Sequence, residues 1–403
     1  MATVVLLGTL DTKGKEYDYL RARLREQGVA VVLVDAGLFE PLAEADVGHE
    51  EVAAAAGADV ASLAAAGDRG VAVEAMGRGA AEVVRRLHAE GRLDGILSVG
   101  GSGNSSIAAQ AMRGLPVGVP KLIVSTVASG DTRPYMGATD VTMTYSVVDI
   151  SGLNRISERI LANAAGAIAG MAKVAVTESG AGKPLVGATM FGVTTPSVTR
   201  ARERLEELGY EVLVFHATGT GGQSMEALAR GGFLAGVLDI TTTELADELV
   251  GGVLSAGPDR LEAAGKLGLP QVVSLGALDM VNFGPRETVP PKFEGRNIYV
   301  HNPTVTLMRT TPEECAELGR QIARKLSAAT GPTALYVPLK GVSIIATEGQ
   351  AFYDPAADEA LFGALREGLG PTVEVHEVDA DVNDPAFAEA MADRLHELIQ
   401  EAR

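Results

Sequence analysis

A glycine- and serine-rich turn near residue 100 has the composition best suited to binding an anion. It follows the apolar strand-like run 94–100 and precedes a helical pattern with apolar side chains at Ile107, Ala111 and Met112. Small residues let backbone N–H groups approach a phosphate closely, and a helix start adds partial positive charge. The spacing matches neither the dinucleotide fingerprint nor a Walker A loop, and a tight βα turn without a ligand is the alternative. We predict a phosphate site formed by Gly100, Gly101, Ser102, Gly103, Asn104 and Ser105.

Two more polar turns in the first half follow apolar strand-like runs, at residues 4–7 and 121–127. Ligands of open parallel sheets bind where the strands end, so these turns and the first one could face one crevice. Hydroxyls, acids and basic side chains in that place suit a phosphate with Mg²⁺. The alternatives are a capped helix start with solvated lysines, and a loop whose hydroxyls bind its own backbone. The predicted contributors are Thr9, Asp11, Thr12, Lys13, Thr126, Asp131, Thr132 and Arg133.

The second half carries its own turn of this kind, again between a strand-like run and a helical pattern. Of six histidines, only His216 and His301 lie in loops at strand ends. With Asp279 they form a predicted catalytic group in which one imidazole is the base and a carboxylate orients it. A structural role for both histidines is the alternative, and no spacing resembles a metalloenzyme motif. The predicted substrate-binding residues are Gly219, Thr220, Gly221, Gly222, Ser224, Thr242 and Glu244.

The elements that position these residues alternate between strands and helices along the whole chain. At 403 residues the chain is too long for one ordinary core. The alternation predicts an α/β fold with mostly parallel sheets flanked by helices. The second half repeats the first in order: strand, polar turn, helix, glycine, strand. We therefore predict two Rossmann-like domains, residues 1–178 and 185–403, with a linker at 178–184.

The charge balance and the cysteine content restrict the classes of function. A net charge of −18 predicts repulsion from nucleic acid and from anionic membranes. No run approaches the roughly 20 apolar residues of a membrane helix, and the first residues do not read as a signal peptide. The single cysteine, Cys315, lies in an amphipathic stretch and is predicted to be core, which fits a reducing compartment. We expect a cytoplasmic protein with no nucleic-acid or membrane partner.

Three motifs, occurring in order, resemble the Tm-one-like ATP-binding family, which contains a plant virus-resistance protein and many bacterial proteins. The elements at 219–225 and 301–303 extend the likeness over essentially the whole chain. The resemblance implies an ATP-binding first domain, a second Rossmann-like domain and a homodimer. The plant protein carries a further barrel similar to a phosphoenolpyruvate-hydrolase-like family, so a separate barrel protein is a candidate partner here. The motifs are Gly8-Thr-Leu-Asp-Thr-Lys-Gly14, Gly100-Gly-Ser-Gly-Asn-Ser-Ser106 and Ser125-Thr-Val-Ala-Ser-Gly-Asp131.

These features together predict an ATP-binding enzyme of small-molecule metabolism. ATP and Mg²⁺ would occupy the first domain, and a second anionic ligand would lie in the cleft between domains, at the Gly219 turn. Two anion sites in one chain suggest transfer of a phosphoryl or nucleotidyl group. Two alternatives stay open. One is a nucleotide-sensing or scaffold homodimer without turnover, and the other is an ATP-independent lyase or hydrolase whose site lies in the second domain.

Overall fold

The computed structural model describes residues 1–175 and 182–402, and the chain divides into two compact units, Met1–Thr177 and Glu178–Arg403. Residues 178–181 of the predicted linker lie outside the described residues. Each unit contains a parallel β-sheet with helices packed on it. The predicted α/β fold with two parallel sheets flanked by helices is therefore confirmed.

The first unit is a five-stranded parallel sheet with the order β2-β1-β3-β4-β5. Its strands are β1 Thr3–Gly8, β2 Ala30–Asp35, β3 Gly95–Gly100, β4 Lys121–Ser125 and β5 Val141–Tyr145. Its helices are α1 Leu10–Glu26, α2 His49–Ala55, α3 Val60–Ala66, α4 Arg69–Ala89, α5 Ser102–Arg113, α6 Arg133–Met136 and α7 Arg155–Ala172. The chain winds to opposite sides of β1, so the carboxyl ends of β1 and β3 form the switch point at which such sheets bind ligands.

The burial of both faces of this sheet explains why its central strands are continuous apolar runs in the sequence. Strands β3 and β4 are buried at every position, because α4 and α5 cover one face while α1 and α7 cover the other. Strands buried on both faces read as continuous apolar runs rather than alternating ones. The alanine-rich segment 50–66 forms two short helices, α2 and α3. A left-handed Gly57 follows the first, and the Asp59 side chain caps the second by accepting from Ser62 N.

The second unit contains a six-stranded parallel sheet and a three-stranded antiparallel one, with the orders β14-β13-β9-β8-β6-β7 and β10-β12-β11. The strands are β6 Leu185–Met190, β7 Glu211–His216, β8 Leu234–Thr241, β9 Gln271–Gly276, β10 Met280–Phe283, β11 Ile298–Asn302, β12 Val305–Arg309, β13 Thr333–Pro338 and β14 Val373–Val378. The helices are α8 Thr195–Glu207, α9 Thr220–Arg230, α10 Glu244–Val250, α11 Ala263–Lys266, α12 Pro312–Ser327, α13 Pro355–Gly368 and α14 Pro385–Glu401.

Local sequence signals account for the helix starts in this unit. Thr311 accepts from Glu314 N and the Glu314 side chain accepts from Thr311 N, which forms a capping box at the start of α12. Asp354 and Asp384 cap α13 and α14 ahead of a first-turn proline. Cys315 is fully buried in α12, as predicted. The antiparallel sheet β10-β12-β11 was not predicted, since its strands are short and are joined by turns without a characteristic motif.

Candidate functional site

A cavity of about 420 Å³ lies in the first unit at the carboxyl edge of the sheet. Its walls come from the start of α1, the loop after β2, the segment that joins α3 to α4, and the first turns of α4 and α5. A volume of a few hundred Å³ is typical of small-molecule sites. We call it the N-terminal cavity; its position beside the β1–β3 switch point is the one that the topology favours for a ligand.

Tyr17 of α1 fixes the two strands behind this cavity. Its hydroxyl donates to Leu7 O of β1 over 2.6 Å and accepts from Val99 N of β3 over 2.8 Å. Burial raises the pKa of Tyr17 to about 12, so the phenol stays neutral and able to donate. Gly8 makes room for the ring, because a Cβ there would lie 2.0 Å from it. This arrangement ties β1 to β3 where the ladder of strand pairing between them ends.

The first turn of α5 and the side chain of Arg69 form a cationic end of the cavity. Gly101 is the N-cap of this twelve-residue helix, and no side chain of the described residues caps it. The amides of its first turn therefore have no acceptor within the helix. Arg69 lines the cavity beside them, and a Cβ on Gly103 would lie 3.4 Å from its Nη2 atom. In the ranges 1–175 and 182–402, no carboxylate forms an ion pair with Arg69.

Two carboxylates also line the cavity, and both bind backbone amides. Asp11 Oδ2 accepts from Leu38 N at 3.1 Å and from Phe39 N at 3.2 Å, which anchors the loop after β2. Asp68 Oδ1 accepts from the amides of Gly70 and Val71 and caps α4. With Arg69, the charged residues among the described lining are two acids and one base. The acids are therefore bound to the backbone, whereas the guanidinium faces the ligand space without an acid partner.

Much of the cavity wall is apolar, and the lining includes an exposed aromatic ring. Its side chains come from the loop after β2 and from α3, α4 and α5. The Phe39 side chain is 64% exposed, and an accessible ring of this kind can stack on a flat ligand. Asn104 is 94% buried and its Nδ2 donates to Ser98 Oγ and Val99 O, while its Oδ1 has no partner among the described residues. The apolar lining residues are Ala36, Leu38, Phe39, Leu63, Ala64, Ala72, Val73, Met76 and Ile107.

The structure places only some of the residues predicted to bind the cofactor around this cavity. Thr9, Asp11, Thr12, Gly103 and Asn104 line the cavity. The other predicted residues are described but do not line it: Lys13, Gly100, Gly101, Ser102, Ser105, Thr126, Asp131, Thr132 and Arg133. Gly101 and Ser102 still belong to the start of α5, so their backbone contributes to its positive end.

Three of the residues outside the lining, Ser105, Asp131 and Arg133, already have partners within the chain. Ser105 Oγ bonds to Ser125 Oγ at 2.7 Å and ties α5 to β4. Arg133 forms a bidentate pair with Asp131, at 2.9 and 2.7 Å, on the surface. This guanidinium lowers the pKa of Asp131 to about 2. The predicted phosphate-binding role of Arg133 is therefore not supported by the geometry, because its charge is paired outside the cavity.

The glycine turn of the second unit, residues 216–222, already holds a carboxylate from the same chain. Glu244 Oε1 accepts from Gly219 N at 2.7 Å and from Gly222 N at 3.0 Å. A Cβ on Gly222 would lie 2.1 Å from Glu244 Oε2, so the glycine is needed for this internal contact. The expectation of an open anion site here needs correction: an external anion would have to displace the Glu244 carboxylate.

Arg260 organises a buried cluster around this turn. Its Nε donates to Glu244 at 2.6 Å, and its two terminal nitrogens donate to Asp239 at 2.5 and 2.8 Å. Burial opposes the charge of Arg260, but Asp239 and Glu244 hold its pKa well above the ordinary value. A third buried carboxylate, Glu226, lies 3.9 Å away, and burial raises its pKa. The predicted substrate residue Glu244 is thus part of a structural ion cluster.

The predicted catalytic residues of the second unit make no hydrogen bond to one another in the described structure. His216 is exposed at the end of β7 with its ring beside Phe191, and His301 is exposed in β11. Asp279 is buried and accepts from Ser343 Oγ at 2.8 Å, and burial raises its pKa to about 6. Thr242 donates to Ser274 O in the core. The roles assigned to His216, Asp279 and His301, and to Thr220, Gly221 and Ser224, stay predictions.

Arg69 and Phe39 are two of the cavity residues that the sequence analysis did not assign to the site. A signal for Arg69 was available, since Gly67-Asp68 before a helical run marks a capped helix start and Arg69 follows it directly. Phe39 carried no comparable signal. Within the described ranges no group of three or more potential ligands forms a metal site. In the same ranges, no helix is long and apolar enough to cross a membrane.

The fold and the cavity define a class of α/β protein with two Rossmann-like units and a ligand-sized cavity at the switch point of the first. The chain belongs to the UPF0261 family, and the resemblance to Tm-one-like proteins is confirmed. The family profile described as "Uncharacterised protein family (UPF0261) N-terminal domain" matches residues 2–177, and its C-terminal counterpart matches residues 183–399.

Relatives share the whole length of the chain. A UPF0261 protein of Clostridium tetani is 53% identical over 98% of this chain and 99% of its own length. The ToMV resistance protein Tm-1(GCR237) of Solanum lycopersicum is 41% identical over 99% of this chain, which spans 56% of the tomato protein. A solved structure of the Streptomyces sp. SF2575 glycosyltransferase SsfS6 aligns with 68% of this chain and 82% of its own at 12% identity. Its TM-score of 0.20 is too low to indicate a common arrangement.

Proposed function

We propose that the chain binds ATP in the N-terminal cavity. The observation that carries the proposal is one cavity that combines an uncapped helix start with Arg69, a guanidinium without an acid partner in the described ranges. The apolar wall and the exposed Phe39 ring offer the contacts that a purine needs. A ligand with a flat apolar end and a phosphorylated end fits both features, and that description is a nucleotide.

Magnesium would enter such a complex mainly with the nucleotide. Asp11 is the predicted protein ligand, but its Oδ2 already holds two amides and its Oδ1 is buried. Mg²⁺ keeps several waters and is commonly bound by one or two carboxylates plus substrate phosphates. The cavity therefore fits Mg²⁺ that arrives on the phosphates of ATP, with Asp11 and Asp68 as the carboxylates that line it.

Binding without turnover is the second candidate function, and one observation favours it. Both carboxylates that line the cavity, Asp11 and Asp68, accept hydrogen bonds from backbone amides and so have a structural role, and no other acid of the described lining offers a base for hydrolysis. A sensing or scaffold role needs no such base. The homodimer, the barrel partner and the cytoplasmic location remain proposals that rest on the resemblance and composition alone.

Calorimetric titration of the full chain with ATP, with and without Mg²⁺, tests the proposal. Gly103→Val places a branched side chain beside Arg69 and should abolish binding. Gly166→Val is the matched control, because a Cβ on that α7 glycine meets nothing within 4 Å. Unchanged binding by the Gly103 variant, or no binding by the natural chain, would refute the proposal. Release of phosphate, ADP or AMP during incubation separates an enzyme from a sensor.

A further inference from the structure

We infer that the N-terminal cavity binds one phosphoryl group directly, so that a nucleoside monophosphate satisfies the whole protein site. Arg69 and the first turn of α5 bind that group. The inference rests on the proposed function and narrows it, since it states which part of a nucleotide the protein recognises. It also identifies Arg69 as the residue that distinguishes a phosphorylated ligand from its nucleoside.

The charge of the cavity supports a single phosphate. Among the described lining residues, Arg69 is the one base, and Asp11 and Asp68 are acids. The two other basic residues predicted to bind phosphate do not contribute. Lys13 does not line the cavity, and Arg133 is paired with Asp131 on the surface. A triphosphate would therefore bring three phosphates to one guanidinium and two carboxylates.

The donors of the cavity also match one phosphate in number and place. The first turn of a helix presents a small cluster of N–H groups to a single anion, and a guanidinium adds a bidentate fork. Arg69 lies against Gly103 in that first turn, so the two sets of donors converge on one region. Asn104, in the same turn, lines the cavity and is deeply buried, and its Oδ1 has no hydrogen-bond partner among the described residues.

The consequence is a characteristic order of affinities. AMP should bind as tightly as ATP measured without Mg²⁺, within about threefold, because the outer phosphates find no further cation in the cavity. Adenosine should bind at least about tenfold more weakly than AMP, since a hydrogen-bonded charge pair is lost. Mg²⁺ should strengthen ATP binding and leave AMP binding unchanged, because it offsets the charge of the outer phosphates.

The experiment is a titration of the full chain with adenosine, AMP, ADP and ATP, each with and without Mg²⁺. Arg69→Ala should lower AMP affinity about tenfold, to the level of adenosine, and leave adenosine binding unchanged. Arg69→Lys keeps the charge and should restore part of the loss. Arg78→Ala is the matched control, because Arg78 is an exposed arginine of the same helix paired with Glu74. Thermal unfolding of each variant verifies that it is folded.

The outcomes separate the inference from the proposed function. If ATP without Mg²⁺ binds more than tenfold tighter than AMP, the single-phosphate inference is wrong while ATP binding stands. Equal losses of AMP and adenosine affinity in Arg69→Ala would give Arg69 a structural role only and would also overturn the inference. If no adenine compound binds under any condition, the proposed function fails, and the inference fails with it.

Discussion

Replacing Arg260 with methionine should strongly destabilise the second unit, because it leaves buried carboxylates without their cation. Arg260 is fully buried and donates three hydrogen bonds of 2.8 Å or less to Asp239 and Glu244, with Glu226 at 3.9 Å. Removing one partner of a buried ion pair costs about 3–5 kcal/mol. We expect a loss in that range near pH 8, since methionine fills much of the volume and the unpaired charges dominate.

The pH dependence of this loss has a definite sign. Burial already raises the pKa of Glu226, and loss of the nearby guanidinium raises it further. A carboxyl with a raised pKa in the folded state binds more protons there than in the unfolded chain, so stability falls as pH rises. The penalty should therefore be small near the ordinary glutamate value of about 4.3 and grow as the pH rises through the raised value.

Urea unfolding at pH 5 and pH 8 measures this prediction, with hydrogen exchange assigning the transition to the second unit. Two units need not unfold together, so a single transition for the whole chain is not assumed. Arg200→Met is the control, because Arg200 pairs with Glu203 and Glu389 at the surface. Its loss should stay within about 1 kcal/mol. A loss of this smaller size for Arg260→Met, or one independent of pH, would refute the reasoning.

Two further predictions concern buried groups described above. Tyr17→Phe leaves the buried Val99 N–H without its acceptor. The unfolding free energy of the first unit, measured in urea, should therefore fall by about 1–3 kcal/mol. A change below about 0.5 kcal/mol would contradict the role of Tyr17 as a bridge between β1 and β3. Cys315 is buried and its thiol pKa is raised by burial, so a thiol reagent should label it only in denaturant. Rapid labelling of the native chain would show that this part of α12 opens.

The fold was largely predictable because its signals are local. Apolar runs, polar turns and capped helix starts occur in sequence order, and the capping box at Thr311 follows from the local sequence Thr311-Pro-Glu-Glu314. The structure of the alanine-rich segment 50–66 was harder to predict. Alanine favours a helix but marks no buried face, and Gly57 alone indicates where the first helix ends. The antiparallel sheet depends on pairing between short strands, and such contacts leave no periodic pattern.

The site was predictable only in part, because it depends on contacts between distant segments. The Gly100 turn was found from its composition. Arg69, which lies beside Gly103 of that turn, belongs to another helix and precedes Gly103 by 34 positions in the sequence. Arg133 was assigned to phosphate because its partner Asp131 was read as a second ligand-binding group. The Gly219 turn was taken as open because a sequence shows the donors of a turn without showing which acceptor reaches them.

The internal use of Glu244 has a consequence for the family as a whole. In this chain residue 244 acts as a built-in occupant of the second glycine turn, and Arg260 holds it there. A member of the family with a neutral side chain at that position would leave the buried amides of Gly219 and Gly222 and the guanidinium of Arg260 without this carboxylate, and a small anion could take its place. The identity of one side chain thus decides whether the second glycine turn is closed by the chain itself or open to a small anion.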